Sequence, residues 1–229
     1  MKLLGMETAS DACSVALAIN DEVLERHAVE PRAHGRLLLD MVAELLAETG
    51  LTLAALDAMT VGRGPGSFTG VRIAVGAAQG LALGGDLPLV PVSSLAALAQ
   101  GAMREKGAIN VVTAVDARMH EVYWGVWQGD KHGVAVETLS ERVCAPGEVT
   151  LPGGEWLAVG TGWQAYPDEL RAALAAQPGK VRGADGRPQL ARARDLLPLA
   201  RRLLVRGGEF APEQAVPVYL RDSVAWKKA

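Results

Sequence analysis

Apolar and polar positions follow one order of periods twice along the chain. Residues 2–8 are nearly continuous in apolar character until Glu7, which fits a buried strand. Over 12–19, Val15, Leu17 and Ile19 alternate with smaller residues, predicting a second strand. Asn20-Asp21 turns the chain into a third strand over 22–29. Pro31 ends it, and the spacing predicts a helix from about 33 to 49, with Gly50 as its C-terminal cap. A strand over 58–62 runs into a Gly-rich segment, 62–70, and a second helix continues to about 83. Residues 88–92 read as a strand, after which Ser93 or Ser94 caps a third helix that reaches Lys106.

At Ile109 the order restarts. A β-rich run over 111–115 ends in Asp116, a strand is predicted over 121–127, and residues 128–133 form a hairpin loop into a strand over 134–139. Residues 157–162 read as a strand entering a Gly-rich turn, followed by a helical stretch to about Gln177. Asp195 is expected to cap the last helix, with Pro198 in its first turn and Gly207-Gly208 at its end. Gly5-Met6-Glu7-Thr8 and Val115-Asp116-Ala117 occupy equivalent places, so the halves share the plan strand, acid, turn, strand, turn, strand. This α/β plan, two duplicated βββαβα units, resembles the actin-like ATPase (ASKHA, RNase H-like) fold. It places one domain at 1–107 and another at 108–229, with the last helix and tail able to pack back on the first. The resemblance implies that Glu7 and Asp116 face a cleft for nucleotide phosphates.

A length of 229 residues accommodates two small domains, and 49% apolar with 21% charged residues is globular composition. A net charge of -3 argues against a surface that holds a nucleic-acid backbone unaided, so any RNA contact is expected to be shared with a partner. Arg201, Arg202 and Arg206 read as a solvated helix face. Cys13 and Cys144 stand far apart without CxxC spacing, which suggests neither a disulfide framework nor zinc and fits a reducing cytoplasm. Glu7 interrupts any signal-peptide core, and the apolar stretch 71–85 is too short to span a bilayer. The expectation is a soluble cytoplasmic protein with no membrane partner.

The Gly-rich segment lacks the Lys-Ser/Thr pair of a phosphate loop and the spacing of a dinucleotide fingerprint. Around Ser67, Pro65 and Thr69 stand where a nucleophile elbow needs glycine. The segment reads instead as a tight turn, Gly64-Pro65-Gly66, with Ser67 or Thr69 capping the next helix. Glu7 and Asp116 are the only acids placed for phosphotransfer, and each also reads as an ordinary turn residue. Gly160-Thr161-Gly162 and Gly207-Gly208 read as turn and cap. His27, His34, His120 and His132 offer no HExxH, and four residues beyond His34 stands Leu38, so no metal is assigned.

The first two helices carry the strongest pattern. Residues 37–47 are apolar except for Asp40 and Glu44, which with Glu48 make one narrow stripe. Gly76, Gly80 and Gly84 recur at four-residue spacing, so another backbone can approach closely. Either both helices are sandwiched in a core, or they present a partner face made of Leu37, Leu38, Met41, Val42 and Leu45 with Arg72, Val75, Gly76, Gln79, Gly80 and Leu83.

Several segments together resemble the TsaB (YeaZ) family. They are Gly62-Arg63-Gly64-Pro65-Gly66-Ser67-Phe68-Thr69-Gly70-Val71-Arg72, Ala78-Gln79-Gly80-Leu81-Ala82, Val115-Asp116-Ala117-Arg118 with Glu121-Val122-Tyr123, and Pro217-Val218-Tyr219-Leu220-Arg221 before Val224-Ala225. The resemblance spans nearly the whole chain, although residues 131–194 carry few of its motifs. It implies a scaffold or activator without catalysis of its own, beside the catalytic paralogue TsaD and the ATPase TsaE. That machinery moves a threonylcarbamoyl group from its adenylate to the adenosine 3′ of the anticodon, giving N6-threonylcarbamoyladenosine (t6A). The resemblance further implies a homodimer in isolation, pairing through the two N-terminal helices, and tRNA contact only through the complex. No cofactor is implied for the chain alone; ATP or ADP would sit at the complex interface. TsaD carries an HxxxH metal site where this chain has His34 and Leu38, and Glu7 stands where the family is expected to have Asp. The alternative functions are a small actin-like kinase or ATPase using Glu7 and Asp116, and, more remotely, a metallopeptidase-like protein.

Overall fold

A computed structural model describes residues 1–184 and 189–221; Val224-Ala225 lies outside them. The first half contains β1 (Lys2–Glu7), β2 (Ala12–Ile19), β3 (Glu22–Val29), α1 (His34–Thr49), β4 (Ala58–Gly62), α2 (Phe68–Gly85), β5 (Leu89–Val92) and α3 (Ser94–Lys106). The second contains β6 (Asn110–Asp116), β7 (Val122–Gly129), β8 (Ala135–Cys144), β9 (Gly154–Val159), α4 (Gly162–Ala165), α5 (Pro167–Ala175), β10 (Gly179–Arg182) and α6 (Ala193–Val205).

The two sheets have one topology. The first runs β3-β2-β1-β4-β5 and the second β8-β7-β6-β9-β10, each with three antiparallel strands followed by two parallel ones. This duplicated α/β arrangement is the actin-like plan expected from the sequence. The copies are unequal, because where the first has α1 the second has only the 3-10 turn Pro146–Glu148.

Alternation along the strands sorts the core into layers. Leu4, Met6, Val15 and Leu17 pack under α1 and α2 on one face of the first sheet, whereas Leu3, Ala16, Ala18 and Ala58 meet Ala193 and Leu197 of α6 on the other. In the second sheet, Val112, Trp124 and Ala158 face α4 and α5, while Val111, Trp127 and Leu157 face α3. The last helix of each half therefore lies on the other half's sheet. One cluster joins Val90 and Val92 of β5 to the second sheet through α3.

Three expectations change. The last helix begins at Ala193 with no side-chain cap bond, and Asp195 is inside its first turn, buried against Arg104 (Nε–Oδ1 2.8 Å, Nη2–Oδ2 3.1 Å). Asp195 is drawn to a cation on α3 in preference to the backbone donors of its own helix end, and Pro198 consequently falls within the helix, beyond its first turn. The strand β10 escapes sequence patterning because four residues, Gly-Lys-Val-Arg, are too short to display a period. β8 extends to Cys144, five residues past the expected end, since its register with β7 resumes after an irregularity near Val126.

Candidate functional site

The glycines of segment 62–70 are there for close approach. A Cβ on Gly62 would lie 2.0 Å from Glu7 Oε2, one on Gly66 would lie 2.3 Å from the Ala9 carbonyl oxygen, and one on Gly70 would lie 2.0 Å from that of Thr8. The loop is pressed against the turn between β1 and β2, and the Ser67 N–H seals it by donating to the Ala9 carbonyl at 2.7 Å. Ser67 then caps α2, its hydroxyl accepting from the Gly70 N–H at 3.2 Å. The expected tight turn and cap are what forms.

Glu7 departs from its expected place. Its side chain is 1% exposed and lies beneath the loop, accepting the Ala9 N–H at 2.6 Å and the Ser94 hydroxyl at 2.8 Å. Burial drives its carboxyl above the ordinary range, and these hydrogen bonds offset the rise only in part. The reason is topological: β4 brings Gly62 alongside the end of β1, and the missing side chain leaves room for a carboxylate.

Asp116 does border an inter-lobe cleft of roughly 510 Å³, together with Ser10, Gly66, Ser94, Thr161 and Arg221. Glu7 is not among the lining residues, so of the two acids expected there from sequence only Asp116 borders the cleft, where Asp11 joins it. Asp116 is engaged by its neighbours, accepting from the Arg118 N–H (2.8 Å) and the Tyr166 hydroxyl (3.2 Å) and pairing with the Arg118 guanidinium (3.1 Å). The β1–β2 turn spends its own donors as well, with the Ala12 N–H on the Ser10 hydroxyl at 3.2 Å. Asp116 is thus held by the chain's own donors at the cleft.

The TsaD-type metal site does not fit these residues. His34 is buried with Nε2 2.8 Å from the Ser10 carbonyl oxygen, and Leu38 is fully enclosed in the core. Among the described residues no group of three or more His, Cys, Asp and Glu could hold a metal ion.

The candidate partner residues divide into two sets. Leu38, Met41, Val42, Leu45 and Val75 are core residues that fix α1 and α2 to the sheet, so none can touch a partner without opening the first lobe. Leu37 is half-buried, and Gln79 is spent on the chain's own tail, donating to the carbonyls of Pro212 (3.2 Å) and Ala215 (3.1 Å). Arg72, Gly76, Gly80 and Leu83 point outward. Over Gly76, Gly80 and Gly84 a Cβ would meet nothing within 4 Å. The groove ends in Leu83, 62% exposed, and Phe68, 64% exposed, whose ring carries the Arg72 guanidinium 3.3 Å above it. Tyr219 completes that cluster, its ring 5.8 Å from Phe68. Phe68 and Tyr219 are absent from the sequence-derived set, although Phe68 stands one helical turn before Arg72.

Residues 209–221 form a strap. The Phe210 carbonyl accepts the Leu89 N–H (2.9 Å), the Val218 N–H donates to the Arg63 carbonyl (2.9 Å), and Arg221 binds the Ala117 carbonyl (3.1 Å) and the Glu121 carboxylate (2.9 Å). The segment 217–221, which has no sequence-level role, therefore ties the first lobe to the second at the mouth of the cleft. A second tie joins Arg63 to Glu141 of β8 (3.1 Å).

The family model for TsaD, tRNA N6-adenosine threonylcarbamoyltransferase, matches residues 26–229. The tRNA threonylcarbamoyladenosine biosynthesis protein TsaB of Escherichia coli K12 is 46% identical over 232 residues, covering 100% of this chain and 98% of that protein. The protein of the same name from Haemophilus influenzae is 39% identical over 237 residues, with 100% and 97% covered. A solved structure of YeaZ from Pseudomonas aeruginosa superposes with a TM-score of 0.86 at 44% identity, over 96% of this chain and 99% of that one. With its two-lobed fold, its glycine-clamped turn and likeness of this extent to TsaB and YeaZ, the chain belongs to the TsaB (YeaZ) family, within the wider TsaD group.

Proposed function

We propose that the chain is a non-catalytic partner subunit in the formation of t6A on tRNA. In this reading it pairs with TsaD through the outer face of α2 and works with TsaE while threonylcarbamoyl passes from its adenylate to the adenosine 3′ of the anticodon. In isolation the same face joins two copies. The observation that carries the reading is that face itself: a glycine-backed strip, open above Gly76, Gly80 and Gly84 and flanked by Phe68 and Leu83, both more than 60% exposed. The names of the relatives supply the process, and the enclosed Glu7 supports a role without chemistry of its own. Any ATP or ADP belongs to the assembled complex, tRNA is met through that complex, and the setting is the cytoplasm. Among the described residues no helix is long and apolar enough to cross a membrane.

Reconstitution tests the reading. TsaD, TsaE, tRNA and threonylcarbamoyl-adenylate are combined with and without this chain, and t6A is quantified. Modification that depends on the chain is expected. Unchanged modification in its absence, or ATP hydrolysis by the chain alone that is lost in Asp116→Asn, would overturn it.

A further inference from the structure

On the side away from the Asp116 cleft, a second cavity of roughly 620 Å³ opens between the lobes. Its lining is apolar in large part: Ala18 and Val23 come from the first sheet, Val134 from the β7–β8 hairpin, and Leu197 and Pro198 from α6, with the exposed Val205 at the edge. Its rim is cationic. Lys131, Arg194, Arg201, Arg202 and Arg206 border it against two carboxylates, Asp21 and Asp130. A surplus of three positive charges in one cavity does not follow from composition, since the whole chain carries -3.

The cations are not equally committed. Arg202 is held by Asp130 at 3.0 Å, and Arg194 stands 3.8 Å from Glu25. Arg201 donates to the Asn20 carbonyl at 2.5 Å, but its carboxylate partner Asp21 is 3.7 Å away and 99% exposed, a pair of little strength. Lys131 and Arg206 have no ion-pair partner among the described residues. Two free cations and a third weakly paired match a dianionic head better than a single carboxylate, and guanidinium groups bind phosphate oxygens in pairs. The volume lies in the range of small-molecule pockets, which favour inter-domain positions and combine an apolar lining with a few polar groups.

We propose that this cavity binds a small organic phosphate, its apolar body on the floor made by Val23, Val134 and Leu197 and its phosphate between Lys131, Arg201 and Arg206. The inference is independent of the partner role proposed above. Because the site touches both the β2–β3 turn of one lobe and the hairpin of the other, its occupant would draw the two together.

The probe is 1-naphthyl phosphate, a flat apolar body with a dianionic head, and the control is 1-naphthol. Binding to the full chain is followed by amide chemical shifts. Saturable shifts at Val134, Leu197 and Val205 are expected with the phosphate, along with roughly tenfold weaker affinity in Lys131→Glu/Arg206→Glu. Both positions are exposed, so that variant keeps the fold, and an unchanged spectrum away from the cavity verifies it. Shifts confined to the neighbourhood of Asp116 and Thr161, equal affinity in the variant, equal binding of 1-naphthol, or no shift at millimolar probe would each overturn the proposal.

Discussion

Two carboxylates reach their protonation states through burial. Glu141, on β8, faces Arg63 and receives the Ser93 hydroxyl, yet its enclosure outweighs the attraction of Arg63 and pushes its pKa up to about 7 from 4.5. The folded chain thus holds this proton more firmly than the unfolded one. The resulting stability is complete below about pH 4.5 and is lost as pH rises through about 7. Chemical denaturation between pH 5 and pH 8 should show that decline, by at most about 3 kcal/mol, and Glu141→Gln should flatten it. Glu7 supplies the second case. In Glu7→Gln the amide oxygen can still accept the Ala9 N–H and the amide NH2 can donate to Ser94, so a loss of under about 1 kcal/mol is expected. Gly62→Ala drives a methyl into that carboxylate and should cost about 1–3 kcal/mol. Thermal melts of the two variants compare these directly, and a greater loss in Glu7→Gln would refute the account. The sequence places Glu7 at a strand end, where an acid ordinarily faces solvent or a ligand. The direction its side chain takes depends on a neighbouring strand about fifty residues away. The clue was present in the four-residue spacing of Gly62, Gly66 and Gly70, a pattern for close approach that can also be read as a loop.

For whole elements, α2 separates folding from pairing. Leucine at both Gly76 and Gly80 meets open space, so the double variant should gain about 1–2 kcal/mol from helix propensity. The same side chains would fill the groove that a partner helix is proposed to enter. A higher melting temperature together with loss of self-association in sedimentation is therefore expected, and unchanged association would sink the proposed face. Ser67→Ala should cost about 1 kcal/mol by removing the cap of α2. Elements of the first half are legible because their apolar periods are long and their ends carry clear signals, such as Gly50 and Ser93. Those of the second half are less so. β10 has four residues, and the start of α6 was masked by an aspartate that has the composition of a cap and the location of an ion pair.

Taken whole, the molecule is crossed. α3 lies on the second sheet and α6 on the first, and Arg104 and Asp195 lock the two helices together. Asp195→Ala leaves Arg104 partly exposed and still paired with Glu105 at 3.0 Å, so it should cost about 1–2 kcal/mol, lowering the melting of both lobes in a single transition. A chain cut into 1–107 and 108–229 should give insoluble fragments separately and a folded protein when the two are produced together. Probes in each lobe, the fluorescence of the tryptophans, all five of which stand in 108–229, and the methyl chemical shifts of Leu4 and Met6 in the core of the first sheet, should unfold coincidently. The sequence reads as two successive units, 1–107 and 108–229, with a last helix able to pack back on the first, but periodicity reveals which face of a helix is apolar and never which sheet receives it.

The crossing also orders events during synthesis. A ribosome delivers β1 to β5 long before α6 leaves the exit tunnel, and until then Leu3, Ala16, Ala18 and Ala58 of the first sheet have no cover. The nascent chain must carry an unfinished apolar surface through the translation of roughly a hundred further codons, several seconds at ordinary elongation rates. Holdase chaperones would find their natural client in that interval, and slowing translation after β5 should raise the fraction of chains that depend on them.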